Sequence, residues 1–226
     1  MSTLSYLLTT LALAAVSTAL AKADTPDASQ IGITAVDYRG SGCPDGSIAT
    51  NLAADAQAIT LIFSSFSVDT STRGGRPMRK VCAINITLGT APGWQFTLFG
   101  VDLRGYASLQ AGSVGVQRIV HSFGRGTDKA IGRQRLVGPF DNNFMNHSDL
   151  PLADLEWSPC DHARTHKFKL QAAIVVRPKL GFQDSDGELD PQKIAGPQFP
   201  FGYMTLDSLD GGLVHTYQVA WRRCNP

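Results

Sequence analysis

The chain has 226 residues, 43% hydrophobic and 17% charged, with 22 Gly and 12 Pro dispersed along it. That is enough apolar material for a domain with its own core, and it excludes a disordered, collagen-like or low-complexity sequence. A formal net charge of +1 gives no global electrostatic case for nucleic acid or an anionic membrane as partner.

From the amino end, residues 4–20 are apolar or small and run into Ala19-Leu20-Ala21-Lys22-Ala23. An apolar stretch too short to span a bilayer, followed by small-x-small sites, predicts a secretory signal peptide over residues 1–23. The mature chain, residues 24–226, is then a single secreted domain. Loss of Lys22 leaves it 19 basic and 19 acidic residues. No later stretch is apolar for long enough to be a membrane helix.

Beyond that point the pattern has period 2. Strand-like runs are predicted at residues 31–38 and 59–66, and then at Cys82-Ile84-Ile86-Leu88 and Trp94-Phe96-Leu98. More follow at residues 114–123, at Phe168-Leu170-Ala172-Ile174-Val176, at residues 201–206, and at Leu213-Tyr217-Val219-Trp221. In the Phe168 run, Lys167, Lys169, Gln171 and Arg177 interleave with the apolar set, as in a strand with one buried face. Gly40-Ser41-Gly42, Arg73-Gly74-Gly75, Ala91-Pro92-Gly93, Gly124-Arg125-Gly126 and Asp210-Gly211-Gly212 punctuate the runs as turns. No helix longer than the patch at residues 53–58 is supported. The expected fold is all-β, an antiparallel β-sandwich of jelly-roll-like form, with long loops at residues 138–159 and 177–200.

Cys43, Cys82, Cys160 and Cys224 all lie in the mature part. In an oxidising compartment they predict two disulfides, with three pairings open. Zinc is disfavoured, because no CxxC occurs and the separations are far too long.

The strings GSGCPDGS (40–47), PGWQF (92–96), RGYASLQAG (104–112), WSPC (157–160), LDSLDG (206–211) and WRRC (221–224), taken in order, resemble a family of fungal and bacterial secreted proteins. That family is known only as domain of unknown function 4360. The resemblance spans essentially the whole mature chain and implies a small secreted β-rich domain with paired cysteines and no established activity. It carries over Cys43, Cys82, Cys160 and Cys224 as the family's cysteines, and Trp94, Tyr106, Trp157 and Trp221 as its aromatic positions. Val81 stands where the family usually has Asn, and Asp161 where it usually has Gly. Some members come from plant-associated fungi, which by context implies a candidate virulence effector. Pairing Cys43 with Cys82 and Cys160 with Cys224 would close moderate loops and tie down the last strand, each bridge contributing about 2–4 kcal/mol.

Several local groups carry the residue types of a site. Ala111-Gly112-Ser113-Val114-Gly115 resembles a nucleophile elbow, but no helix follows it. Cys160, Asp161, His162 and His166 gather metal-ligand types, although a bonded Cys160 could not ligate and HExxH is absent. The acidic turn Asp184, Asp186, Glu188 and Asp190 lacks the twelve-residue calcium loop. Two segments are basic, one with Arg73, Arg76, Arg79 and Lys80, the other with Arg118, Arg125, Lys129, Arg133 and Arg135. If they converge they suit an anionic polysaccharide or an acidic protein face, and if not they are charged strand edges. Of the tryptophans, Trp94 and Trp221 fall on the apolar side of their strands, leaving Trp157 as the exposed one. Asn85 and Asn146 begin N-glycosylation sequons, Asn85 away from the core face and Asn146 in a long loop.

No catalytic residues, cofactor or metal are assigned. The reading is a secreted noncatalytic binding protein whose partner is an extracellular protein or a cell-wall polysaccharide, with no role for nucleic acid or membrane. The alternatives are a carbohydrate-active hydrolase using loop carboxylates such as Asp154 and Glu156, or a structural or adhesive wall protein.

Overall fold

A computed structural model describes residues 25–124, 128–161, 163–179, 199–206 and 214–224. The expected signal peptide and the acidic turn at residues 184–190 lie outside the described residues. Among the described residues twelve strands follow one another, beginning with β1 (Gly32–Arg39), β2 (Ile48–Leu52), β3 (Ala58–Phe63), β4 (Ser67–Asp69), β5 (Met78–Gly89) and β6 (Trp94–Leu109). After these come β7 (Ser113–Phe123), β8 (Lys129–Val137), β9 (Phe140–Asp149), β10 (Thr165–Pro178), β11 (Gly202–Thr205) and β12 (Val214–Arg223). The described helical pieces are three-residue 3-10 turns, and the patch at residues 53–58 is a turn closed by Ala56 N–H donating to the Ala53 carbonyl.

The strands form two antiparallel sheets. The smaller has the order β1-β5-β10-β7-β8; the larger has the order β2-β3-β12-β6-β11-β4, with β9 added alongside β6. The alternation predicted from sequence is what lets them face each other. Ile84, Ile86 and Leu88 of β5 and Phe168, Leu170, Ala172, Ile174 and Val176 of β10 point inward from one sheet, against Ile59, Leu61, Phe96, Leu98 and Val219 from the other. Phe96 sits at the centre, its ring 5.3 Å from Phe123, 5.6 Å from Phe168 and 5.5 Å from Trp221. It therefore touches both sheets.

The disulfides are Cys43–Cys82 and Cys160–Cys224, the pairing expected from loop length. The first pins the turn after β1 onto central β5; the second holds the end of β12 to the segment that leads into β10.

Two expectations are corrected. Residues 138–159 are not one long loop, since β9 occupies ten of them and pairs with β6 from Gly100↔Asp149 to Leu109↔Phe140. Asn146 accordingly lies on a strand. In β9 only Phe144 is buried, because one face meets solvent and the other covers a sheet margin, so no apolar alternation survives to be read. The sequence reading also passed over β2, β4 and β8. The first two are short edge strands, and β8 buries only Ile131, Gly132 and Leu136.

Candidate functional site

The sheet faces turned away from the core carry the exposed chemistry. On the larger sheet, β6 lies between β9 on one side and β12 and β11 on the other, and its outward residues are Asp102, Arg104, Tyr106 and Ser108. Register fixes their neighbours. Tyr106 stands opposite Asn143 and Thr205, Ser108 opposite Asp141 and Tyr203, and Asp102 opposite His147 and Thr216. Sequence spacing could not show this, because the three strands are separated by loops of very different length.

At one end of that face the Tyr106 and Tyr203 rings lie 6.2 Å apart, inclined at 51° and half-buried. The Tyr106 hydroxyl donates to the Asp141 carboxylate. That bond, with lesser desolvation and charge repulsion from the same carboxylate, raises the tyrosine pKa above its ordinary value. The aromatic pair is thus held by β6, β9 and β11 together.

At the other end Asp102, His147 and Asp149 are linked. His147 Nδ1 is 2.8 Å from Asp102 and Nε2 is 3.0 Å from Asp149. Both ring nitrogens meet carboxylate oxygens, and the bond to Asp102, then that to Asp149, raises the histidine pKa. Gln218 Nε2 donates to the second Asp102 oxygen at 3.4 Å. Gly100 floors this group, since a β-carbon there would fall 2.5 Å from Asp149 Oδ1 and 2.6 Å from Gln218 Oε1. The side chains restrain one another and lose little rotamer freedom on contact with a ligand.

The smaller sheet turns a basic face outward. Arg79 of β5 stands opposite Val175, Arg118 of β7 opposite Ala173 of β10 and Arg133 of β8, and Lys169 of β10 opposite Asn85 and Ser122. Arg79 and Arg118, from the two basic segments, line a depression of about 100 Å³ with Val120, Asp128, Gln171 and Ala173. Arg125 and its neighbours 126 and 127 lie outside the described residues.

The other sequence candidates come apart. Ser113 is fully buried at the start of β7, its hydroxyl donating to the Gln110 carbonyl, so the elbow-like string is a turn into a strand. Cys160 is disulfide-bonded and His166 is buried beside Phe96, with Asp161 3.9 Å from its Nδ1. His162 lies outside the described residues, among which no group of three or more His, Cys, Asp and Glu is placed to hold a metal ion. Asp154 is exposed and Glu156 has a buried carboxylate oxygen without a partner, and the two share no hydrogen-bond partner among the described residues. Trp94 and Trp221 are core residues as expected. Trp157, expected to be exposed, is half-buried with the Arg222 guanidinium 4.0 Å from its ring centre. Sequence reading had Tyr106 only as a family aromatic position and missed Tyr203, Asp141 and the His147 group. An outward aromatic between Arg104 and Ser108 was the one available signal.

The interior also holds polar groups. His215 of β12 meets Gln117 of β7 at 2.8 Å across the sheets, both fully buried. Burial pushes the His215 pKa down to about 3 and raises that of Tyr217, and it pushes His121 down to about 4 with some help from Lys129.

These features define a secreted, disulfide-bonded antiparallel β-sandwich whose distinctive side chains lie on its two outer sheet faces. The chain belongs to the family described as Domain of unknown function (DUF4360), whose model matches residues 29–224. A fungal relative, an uncharacterized secreted protein of Arthroderma benhamiae, is 28% identical over 200 residues, covering 88% of this chain and 74% of that protein. Among solved structures, TmCBM61 in complex with β-1,4-galactotriose is similar at a TM-score of 0.24 and 7% identity, covering 84% of this chain and 90% of that one. A structure described as CBM4 is similar at a TM-score of 0.16 and 12% identity, covering 63% and 78%. Likenesses of this size bear on neither fold nor function.

Proposed function

We propose that this is a noncatalytic glycan-binding protein of the extracellular space, which engages a wall polysaccharide through the outer face of its larger sheet. The carrying observation is the Tyr106–Tyr203 pair, half-buried on the outer sheet face with Tyr106 anchored by Asp141. Aromatic faces suit the C–H faces of sugar rings, while the tied polar groups Asp102, His147, Asp149 and Gln218 offer donors and acceptors to hydroxyls. Such a site needs no metal and no strained nucleophile.

The test uses the mature, disulfide-intact chain on insoluble β-glucan, chitin, cellulose and galactan. Retention on at least one polymer is expected, and the Tyr106→Ala/Tyr203→Ala double variant should lose about tenfold or more in affinity at an unchanged melting temperature. Binding that survives the double variant, or wild-type retention on none of the polymers, overturns the reading. Retention of a host extracellular protein in place of polymer would support the effector role instead. Release of reducing ends from any polymer would support the hydrolase.

The sequons divide on exposure. Asn85 is exposed on the outer face of β5, whereas Asn146 is half-buried with its amide donating to Ser148 Oγ at 3.0 Å and to the Arg133 carbonyl at 3.4 Å. Expression in a eukaryotic host is expected to add a glycan at Asn85, seen as an endoglycosidase-sensitive mass that Asn85→Gln removes and Asn146→Gln leaves.

A further inference from the structure

We infer that the outer face of the smaller sheet carries a second binding site, one that takes the carboxylates of an acidic polysaccharide between Arg79 and Arg118. It rests on residues of the opposite sheet and stands whether or not the tyrosine face binds sugar.

Arg79 and Arg118 come from distant parts of the chain, and β10 brings them together by pairing with β5 on one edge and with β7 on the other. With strands about 4.8 Å apart and a two-residue offset, their α-carbons are roughly 12 Å apart. Two extended arginine side chains close that gap, so both guanidinium forks reach one carboxylate or the carboxylates of adjoining sugar units. Among the described residues neither guanidinium has a hydrogen bond or an ion pair. The nearby Lys169 is engaged, 4.0 Å from Asp128. Two guanidiniums with no salt bridge of their own, facing one depression whose carboxylate, Asp128, lies against Lys169, are the electrostatic half of the site.

The other half is what surrounds them. Ala173 and Val120 give the lining an apolar part that suits the C–H face of a ring. Gln171 supplies an amide and Asp128 a carboxylate to the same lining, groups that pair with hydroxyls. Asp128 also sets the charge density the site tolerates. A uronic-acid chain places hydroxyls between its charges for Asp128 and Gln171 to pair with, whereas a DNA backbone offers that carboxylate none. Arg133, opposite Arg118 on β8, extends the positive strip along a polymer.

Isothermal titration of the mature, disulfide-intact protein with oligogalacturonate and oligoglucuronate tests the assignment. The methyl-esterified oligomer is the neutral control and double-stranded DNA the competing polyanion. At least one acidic oligomer is expected to bind, with affinity falling as salt rises and lost on esterification. Arg79→Gln and Arg118→Gln should each weaken binding about tenfold, with the thermal midpoint unchanged. Failure of both acidic oligomers to bind at low salt overturns the proposal, as do equal binding of the ester and unchanged affinity in the double Arg79→Gln/Arg118→Gln variant. Equal retention on DNA overturns the polysaccharide assignment.

Discussion

The His121→Phe variant is expected to be more stable than the parent at neutral pH and to lose far less stability on acidification. His121 points inward from β7 at 1% exposure, and neither of its ring nitrogens has a hydrogen-bond partner among the described residues. An imidazole in that position carries the desolvation cost of two polar atoms and gains only an edge contact with Phe123, whose ring centre is 5.8 Å away. Phe has a similar shape and no polar atom to strand. The pH dependence follows from burial, which holds the folded-state pKa at about 4 while the unfolded chain takes up a proton near 6.5. Between those values the unfolded state binds more protons, so the stability present above pH 6.5 is lost as pH falls toward 4. The loss is on the order of 3 kcal/mol.

His215, held down to about 3 by burial, adds to the same acid lability. His147 acts in the opposite sense. Its raised pKa contributes stability that is full below pH 6.5 and is lost as pH rises through its folded value, and its exposure keeps that contribution small. Urea unfolding of parent and variant at pH 7, 5.5 and 4.5 measures the effect. Parallel pH profiles would show that His121 is not the group that makes the fold acid-sensitive. His121→Leu serves as a second variant should the larger ring overpack the site.

Replacing Phe96 by Ala is expected to cost about 3–5 kcal/mol, the largest single-site loss in the core. Phe96 is fully buried, and its ring contacts Phe123 of β7 and Phe168 and His166 of β10 in one sheet and Trp221 of β12 in its own. Truncation opens a cavity that neither sheet can close by itself, because each is held by its own hydrogen-bond ladder. The Cys160–Cys224 bridge and the hydrogen bond that the Phe96 amide donates to Ser158 Oγ further limit local relaxation. Chemical denaturation with the disulfides intact reads the loss directly. Phe96→Leu, which keeps much of the volume, should cost well under half as much, and a cost below about 1 kcal/mol for Phe96→Ala would mean that the aromatic cluster does not couple the sheets.

Legibility in the sequence tracked how local the signal was. Strands β5, β10 and β12 bury one face along most of their length, so that face is mostly apolar and the alternation announces them. Residues 140–149 spell Phe-Asp-Asn-Asn-Phe-Met-Asn-His-Ser-Asp, which reads as loop because nine of the ten meet solvent or a sheet margin. They are a strand all the same, since ten residues of β6 offer them an edge to pair with. Tyr106 was visible as an aromatic in an otherwise polar string. Its partners Tyr203 and Asp141 were not, being 97 and 35 residues away.

By itself the sequence determined the class: an all-β fold follows from period 2, and the two bridges from four cysteines in an oxidising compartment. These are one-dimensional properties, carried by side-chain type and short spacing. Which faces meet solvent together was decided only in three dimensions. Arg79 and Arg118 share a depression because β10 lies between their strands, and Asp102, His147, Asp149 and Gln218 share a network because β9 and β12 flank β6. Strand order reflects the total energy of packing two sheets, and no window of neighbouring residues encodes it.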